Sequence, residues 1–89
     1  MYWNYRVLRQ SGTYERTGEE WRLYTVHEVH YEDNGKPTMY TAQDVSPGGE
    51  DRDDFRGSWL LYCKALERPV LIVKDGNFTG ETEAALEGD

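Results

Sequence analysis

The stretch from Trp21 to Ala42 decides the fold and reads WRLYTVHEVHYEDNGKPTMYTA. Residues 21–32 are rich in aromatic and β-branched side chains, which favours a long strand. Asn34-Gly35 follows closely, and this dipeptide is the strongest short-range signal for a two-residue hairpin turn. With these two residues as the loop, the predicted cross-strand pairs are Asp33 with Lys36, Tyr31 with Thr38, His30 with Met39, Val29 with Tyr40, Glu28 with Thr41 and His27 with Ala42.

Side chains alternate across a strand, so this register assigns each residue of the hairpin to one of two faces. We predict that one face points to the core; its members are Trp21, Leu23, Thr25, His27, Val29, Tyr31, Tyr40 and Ala42. A single helix covers only one side of a small sheet, so the opposite face is expected either to stay open or to be covered by Val70 to Phe78. From this open face we select four candidate partner-binding residues, which are Tyr24, Val26, His30 and Met39.

The segment before the hairpin supplies one more strand. Tyr2 to Arg9 is rich in aromatic residues and alternates in polarity, which predicts a strand. Residues 10–20 are polar and contain two glycines, so we predict a loop there.

The segment after the hairpin supplies one amphipathic helix. Beyond the interruption at 46–49, apolar residues recur at helical spacing; they are Phe55, Trp59, Tyr62, Cys63 and Leu66. Asp51 and Asp54 are spaced as in a helix cap, and Pro69 prevents the helix from continuing.

The predicted fold class is therefore α+β, with a three-stranded antiparallel meander and one amphipathic helix packed on one face. Val70 to Val73 is a short β-branched run that fits either a fourth strand beside the sheet or an extended segment over the helix end. We place a single domain at residues 1–74. Residues 75–89 are polar and acidic, and we expect a C-terminal extension that is partly disordered.

The formal net charge is −7, and the acidic residues are unevenly distributed. Residues 32–54 carry seven acids against Lys36 and Arg52, which gives a local charge of −5. Clustered Lys and Arg attract a phosphate backbone, so this pattern disfavours direct nucleic-acid binding and favours a basic protein partner. The acidic run is either a solvated helix start or the edge of a surface that mimics nucleic acid; its candidate binding residues are Glu50, Asp51, Asp53 and Asp54.

Membrane association and secretion are not indicated. The sequence has no uninterrupted apolar run of the roughly 20 residues that a membrane helix needs. Met1 leads into Tyr2-Trp3-Asn4 without a basic and then apolar signal region, and the lone Cys63 cannot form an internal disulfide. We therefore expect a cytoplasmic protein with no membrane partner.

The chemistry-bearing residues form no recognisable catalytic or metal-binding set. His27 and His30 project from opposite faces of a strand, so they do not share a metal ion without a bulge. His27 is expected at the rim of the core, where it forms hydrogen bonds. Cys63 lies on the apolar stripe of the helix, so we assign it to packing. We expect no enzyme activity, no metal and no cofactor.

Five short motifs occur along residues 2–73. They are Asn4-Tyr5-Arg6-Val7, His27-Glu28-Val29 followed by Tyr31, Asn34-Gly35-Lys36-Pro37, Pro47-Gly48-Gly49-Glu50 and Pro69-Val70-Leu71. Together they resemble a group of small uncharacterised bacterial proteins. The resemblance implies a compact strand-rich domain with one helix and no assigned activity. This chain departs from that group in its longer 10–20 connection and in the extension after Leu71.

We therefore expect a non-catalytic domain that binds another protein, or a second copy of itself, through the open sheet face or an exposed strand edge. The alternative is an acidic inhibitor of the anti-defence or nucleic-acid-mimic type, which blocks a basic nucleic-acid-binding protein.

Overall fold

The computed structural model describes residues 2–87, and within them it contains five strands and one helix. The elements are β1 Tyr2–Thr13, β2 Glu20–Tyr31, β3 Pro37–Tyr40, α1 Arg52–Leu66, β4 Val70–Lys74 and β5 Asn77–Glu83. The strands form one sheet in the order β3-β2-β1-β4-β5, in which β1 and β4 are parallel and the other pairs antiparallel. The α+β class is confirmed, but the predicted three-stranded antiparallel sheet is wrong, because the sheet is mixed and has five strands.

β1 and β2 form a longer hairpin than the sequence predicts. They pair without interruption from Tyr2 opposite Tyr31 to Thr13 opposite Glu20, so much of the predicted 10–20 loop belongs to strands. The turn is closed where the Gly18 amide donates to the Tyr14 carbonyl at 2.8 Å. Gly18 has a φ of +73°, which a side chain would strain. Of the residues predicted as a loop, 10–13 and Glu20 belong to the strands, and 14–19 form the turn between them.

The C-terminal part of the chain adds two strands to the sheet. Val70–Lys74 pairs in parallel with β1. The β-branched run is therefore a strand of the sheet and not an extended segment over the helix end. The turn at Asp75 and Gly76, with φ values of 50° and 81°, then reverses the chain into β5. Residues 77–83 of the predicted extension form β5, and Phe78 packs against the core and anchors this strand. Residues 88 and 89 of the predicted extension lie outside the described residues.

The β2–β3 hairpin keeps the predicted register through two compensating irregularities. The Gly35 amide donates to the Glu32 carbonyl and the Glu32 amide donates to the Lys36 carbonyl, so the loop has three residues, not the predicted two. The sheet then shifts by one residue between His30 and Tyr31, because Tyr31 lies opposite Pro37. This bulge cancels the extra loop residue. The predicted pairs His30 with Met39 and Val29 with Tyr40 are therefore confirmed.

The helix lies on the face of the sheet that the sequence analysis expected to be open. A buried cluster joins Val7, Val26 and Val70 from three strands to Ala65 of α1. Val26 is only 5% exposed, so its assignment to an open face is wrong. The alternation of residues along β2 was correct, but alternation alone does not determine which face the helix covers.

The opposite face of the sheet has a second core that needs no helix. Its buried cluster consists of Leu8, Val29, Tyr31, Leu71 and Val73. The two edge strands approach each other across this face, where the rings of Tyr40 and Phe78 lie 5.5 Å apart edge to face. Curvature of the sheet therefore covers most of the predicted core side. Leu23 and Ala42, which were also predicted for it, are exposed.

The start of α1 is built by a cap and a close backbone approach. Asp51 is the N-cap, as predicted, and its side chain accepts a hydrogen bond from the Asp54 amide at 2.8 Å. A Cβ at Gly49 would lie 2.5 Å from the Phe55 nitrogen, so only glycine fits there. α1 is the one helix of the described residues, and it is neither long nor apolar enough to cross a membrane.

We predict that Gly49→Ala destabilises the fold by about 1 to 3 kcal/mol, because the added methyl group overlaps helix backbone that cannot move aside. Gly48→Ala is the matched control, since a Cβ at Gly48 meets nothing within 4 Å. The measurement is urea unfolding followed by circular dichroism. Equal stability of the two variants would contradict the role assigned to Gly49.

Candidate functional site

The largest group of exposed apolar side chains within one element lies on α1. We call it the α1 surface and define it by Phe55, Trp59, Leu60 and Leu61, which are 45–60% exposed. Trp59 to Cys63 is a run of five apolar residues, and successive helical residues turn by about 100°. The run therefore points in every direction around the helix, whereas the sheet contacts only one side. Leu60 must face away from the core, whereas Leu61, one turn before the buried Ala65, is 47% exposed at the edge of the core.

Aromatic contacts hold part of the α1 surface in place. The ring of Trp59 lies 6.4 Å from that of Phe55 and 5.9 Å from that of Tyr62, both near edge to face. Tyr62 in turn packs against the buried cluster on this side of the sheet. Because these rings support one another, Trp59 is presented in a defined orientation. A rigid aromatic side chain loses little conformational entropy when it is buried by a partner.

An open groove lies between α1 and the segment that precedes it. Its lining includes Tyr5, Leu60 and Leu61 as apolar residues, and Glu50, Asp53, Asp54 and Lys64 as charged residues. All four residues of the predicted acidic site are exposed. Asp51 caps the helix, and Asp53 and Asp54 lie in the first turn, where the helix dipole favours negative charge. Local helix structure thus explains the acidic residues, while the groove places three of them beside apolar side chains.

The four residues selected for an open sheet face do not form one surface. Val26 is covered by α1 and lies between Tyr24 and His30 along β2. His30 and Met39 are paired on one side of it, where the His30 ring contacts the Glu28 carboxylate at 2.7 Å. Tyr24 lies on the other side of Val26. The helix therefore divides the predicted binding surface into two parts.

Tyr24 belongs to a charged cluster that ties the last strand to the first two. Its hydroxyl donates to one oxygen of Glu83 at 2.9 Å, and Arg9 forms an ion pair with the other oxygen. The hydrogen bond from Tyr24 is the largest cause that lowers the pKa of Glu83. Desolvation by burial opposes it, and the Arg9 hydrogen bond and the charges of Arg9 and Arg22 lower the pKa further. Glu83 therefore favours its ionised form and anchors β5 across β4 to the β1–β2 hairpin.

A second depression opens beside this cluster, and its charges are mixed. Arg9, Arg22 and Lys74 line it together with the acids Glu20, Asp75 and Glu81. Charges of both signs favour neither an anionic nor a cationic ligand. This depression therefore carries no assigned role.

His27 has a structural environment, as expected. It is 3% exposed, and its Nδ1 donates to the Thr41 carbonyl at 2.8 Å. Nε2 then serves as the acceptor and lies 3.2 Å from the Gln10 side-chain nitrogen. Both ring nitrogens are engaged, which leaves neither for a metal or a substrate. Among residues 2–87, no group of three or more His, Cys, Asp or Glu is arranged to hold a metal ion.

Sequence reasoning identified the acidic helix start and the aromatic stripe but omitted Leu60 and Leu61. The signal was present, because five consecutive apolar residues exceed what one helix face can bury. Comparison of the chain with protein-family models, with curated proteins and with solved structures gives no match.

We predict that Glu83→Gln destabilises the fold at neutral pH and that the difference from the wild type shrinks on acidification. A lowered folded-state pKa contributes stability above the ordinary pKa, and this contribution is lost as pH falls through the lowered value. The measurement is urea unfolding from about pH 7 to about pH 3. Glu81→Gln is the control on the same strand. If the difference in stability between Glu83→Gln and the wild type stays constant over this pH range, ionised Glu83 does not have the stabilising role assigned to it.

Proposed function

We propose that this chain is a non-catalytic protein-binding domain and that the α1 surface is its binding site. The observation that carries the proposal is the outward position of Leu60, which is 60% exposed on a helix that is already anchored by its opposite side. Leu60 and Leu61 line one open groove together, and exposed apolar patches on a folded domain mark interaction sites. A cytoplasmic location is part of the proposal, since the lone Cys63 provides no internal disulfide.

The composition of the α1 surface favours a protein partner. Trp59 is a large aromatic residue with a supported orientation, which is the typical anchor of a protein interface. Charged residues such as Asp53 and Lys64 surround the apolar ones, as at the polar rim of an interface. The groove is open along the helix, so it suits an extended or helical segment.

The strand edges are less suited to binding than the sequence analysis expected. β3 has only four residues and begins with Pro37, which has no amide hydrogen to donate. β5 is irregular opposite β4, contains Gly80 at a φ of +85°, and carries Glu81 and Glu83. Short, irregular or charged edges resist the addition of another strand. We therefore assign binding to the helix and not to an edge.

We predict that Leu60→Asp abolishes capture of the partner while the domain stays folded, because the side chain is outside both cores. Leu23→Asp is the matched control, since Leu23 is 53% exposed and lies on the sheet face opposite α1. The measurement is quantitative pull-down with the purified chain as bait, combined with a thermal unfolding curve of each variant.

The control decides the interpretation of this experiment. Loss of partner capture with Leu60→Asp, together with unchanged capture with Leu23→Asp, supports the α1 surface as the binding site. If both variants capture the same proteins as the wild type, the proposed binding site is wrong. Turnover of a substrate by the purified chain would overturn the non-catalytic assignment.

The acidic inhibitor is the second candidate function, because Glu50, Asp53 and Asp54 lie exposed along one groove. We predict that neutralising these three residues weakens binding to a basic nucleic-acid-binding protein and reduces its salt dependence. Asp51 is left unchanged, since it caps α1. The measurement is a binding titration at low and high salt; affinities equal to those of the wild type at both would exclude this function.

A further inference from the structure

The outward side of α1 carries a stripe of four residues with complementary properties. Asp53, Gly57, Leu60 and Lys64 are spaced by four, three and four positions, so they align along one side of the helix. The half-buried Tyr62 and Leu66, which pack against the sheet, lie on the other side. All four stripe residues line the open groove. The stripe therefore faces away from the core of its own chain.

The stripe is complementary to itself in the antiparallel direction. A two-fold axis through the midpoint between residues 58 and 59 places Asp53 opposite Lys64 of a second copy. The same axis places Gly57 opposite Leu60 of that copy. Each contact then occurs twice. Two opposite-charge pairs thus flank two contacts in which a leucine fits against a glycine.

Nothing in the described part of the single chain explains Gly57. A glycine inside a helix is about 1 kcal/mol less favourable than alanine. A Cβ at Gly57 would meet nothing within 4 Å, so no neighbour among residues 2–87 requires glycine there. Small residues allow two helix backbones to approach closely. Leu60 from a second helix would occupy this space.

The two charged residues of the stripe also favour a second copy over a basic partner. Within residues 2–87, neither Asp53 nor Lys64 forms an ion pair. A basic segment would neutralise Asp53 but would bring like charge toward Lys64. A second copy of the chain places an opposite charge against Asp53 and against Lys64 at the same time. The contact must be local, because the net charge of −7 on each copy opposes association at longer range.

We propose that the partner at the α1 surface is a second copy of this chain, bound as a two-fold dimer with antiparallel α1 helices. This inference rests on the proposed function of that surface as a protein-binding site. Asp53 and Lys64 form reciprocal ion pairs between the copies. Leu60 packs against Gly57 of the other copy.

Charge reversal tests the pairing in the intact chain. Asp53→Lys and Lys64→Asp each convert two attractive pairs into two repulsive ones, and each should weaken the dimer by about tenfold. An equimolar mixture of the two variants should form a heterodimer, since it restores both opposite-charge pairs. Asp54→Lys is the control for loss of an acid in the first helical turn. The measurement is sedimentation velocity over a range of concentrations.

Gly57→Ala separates folding from dimerisation. The substitution should stabilise the single chain against urea, because alanine is the better helix former, and should weaken the dimer, because the methyl group fills the space for Leu60. A Gly57→Ala chain that is more stable against urea but forms a weaker dimer supports the proposed packing. An equal or tighter dimer would overturn it.

The outcomes distinguish this inference from the proposed function. A wild-type chain that stays monomeric at all concentrations, or a dimer insensitive to both reversals, overturns the dimer. Binding of a synthetic amphipathic Lys/Leu peptide to a monomeric wild type would replace the second copy by a basic partner. In each of these cases the Leu60→Asp capture experiment still decides whether the α1 surface binds protein.

Discussion

The structure depends on the position of β1 between an antiparallel and a parallel neighbour. β1 pairs with β2 along its whole length and with β4 near its middle, so Val7 and Leu8 are buried on opposite faces. Val7 joins the cluster beneath α1, and Leu8 joins the cluster on the other face. A parallel pair requires a long connection, which here contains β2, β3 and α1. One central strand thereby organises two cores in a short chain.

Local features of the fold were predictable because their signals are local. The Asn34-Gly35 turn, the Asp51 cap and the helical spacing of apolar residues each act within a few positions of the chain. Each therefore gave the correct element. The pairing of β4 with β1 joins residues about 60 positions apart, and no sequence pattern encodes a partner at that distance.

The candidate site was predictable only in part, for related reasons. Alternation along β2 correctly separated Val26 from His27, but both faces of this strand are buried in its central region. The helix could therefore have covered either one. The acidic residues were recognised from composition alone. Helical spacing selects the apolar residues of one face of α1, and Leu60 lies outside that face, so the periodicity does not point to it.

The paired irregularities of the β2–β3 hairpin have a consequence for how this sequence can change through evolution. The third loop residue shifts the strands by one position, and the bulge opposite His30 and Tyr31 removes that shift. A one-residue slip would otherwise move every β3 side chain to the other face of the sheet. Insertions and deletions in the turn can therefore be absorbed a few residues away. A change of one residue in the turn, matched by a change at the bulge, therefore leaves the residues of both cores in place.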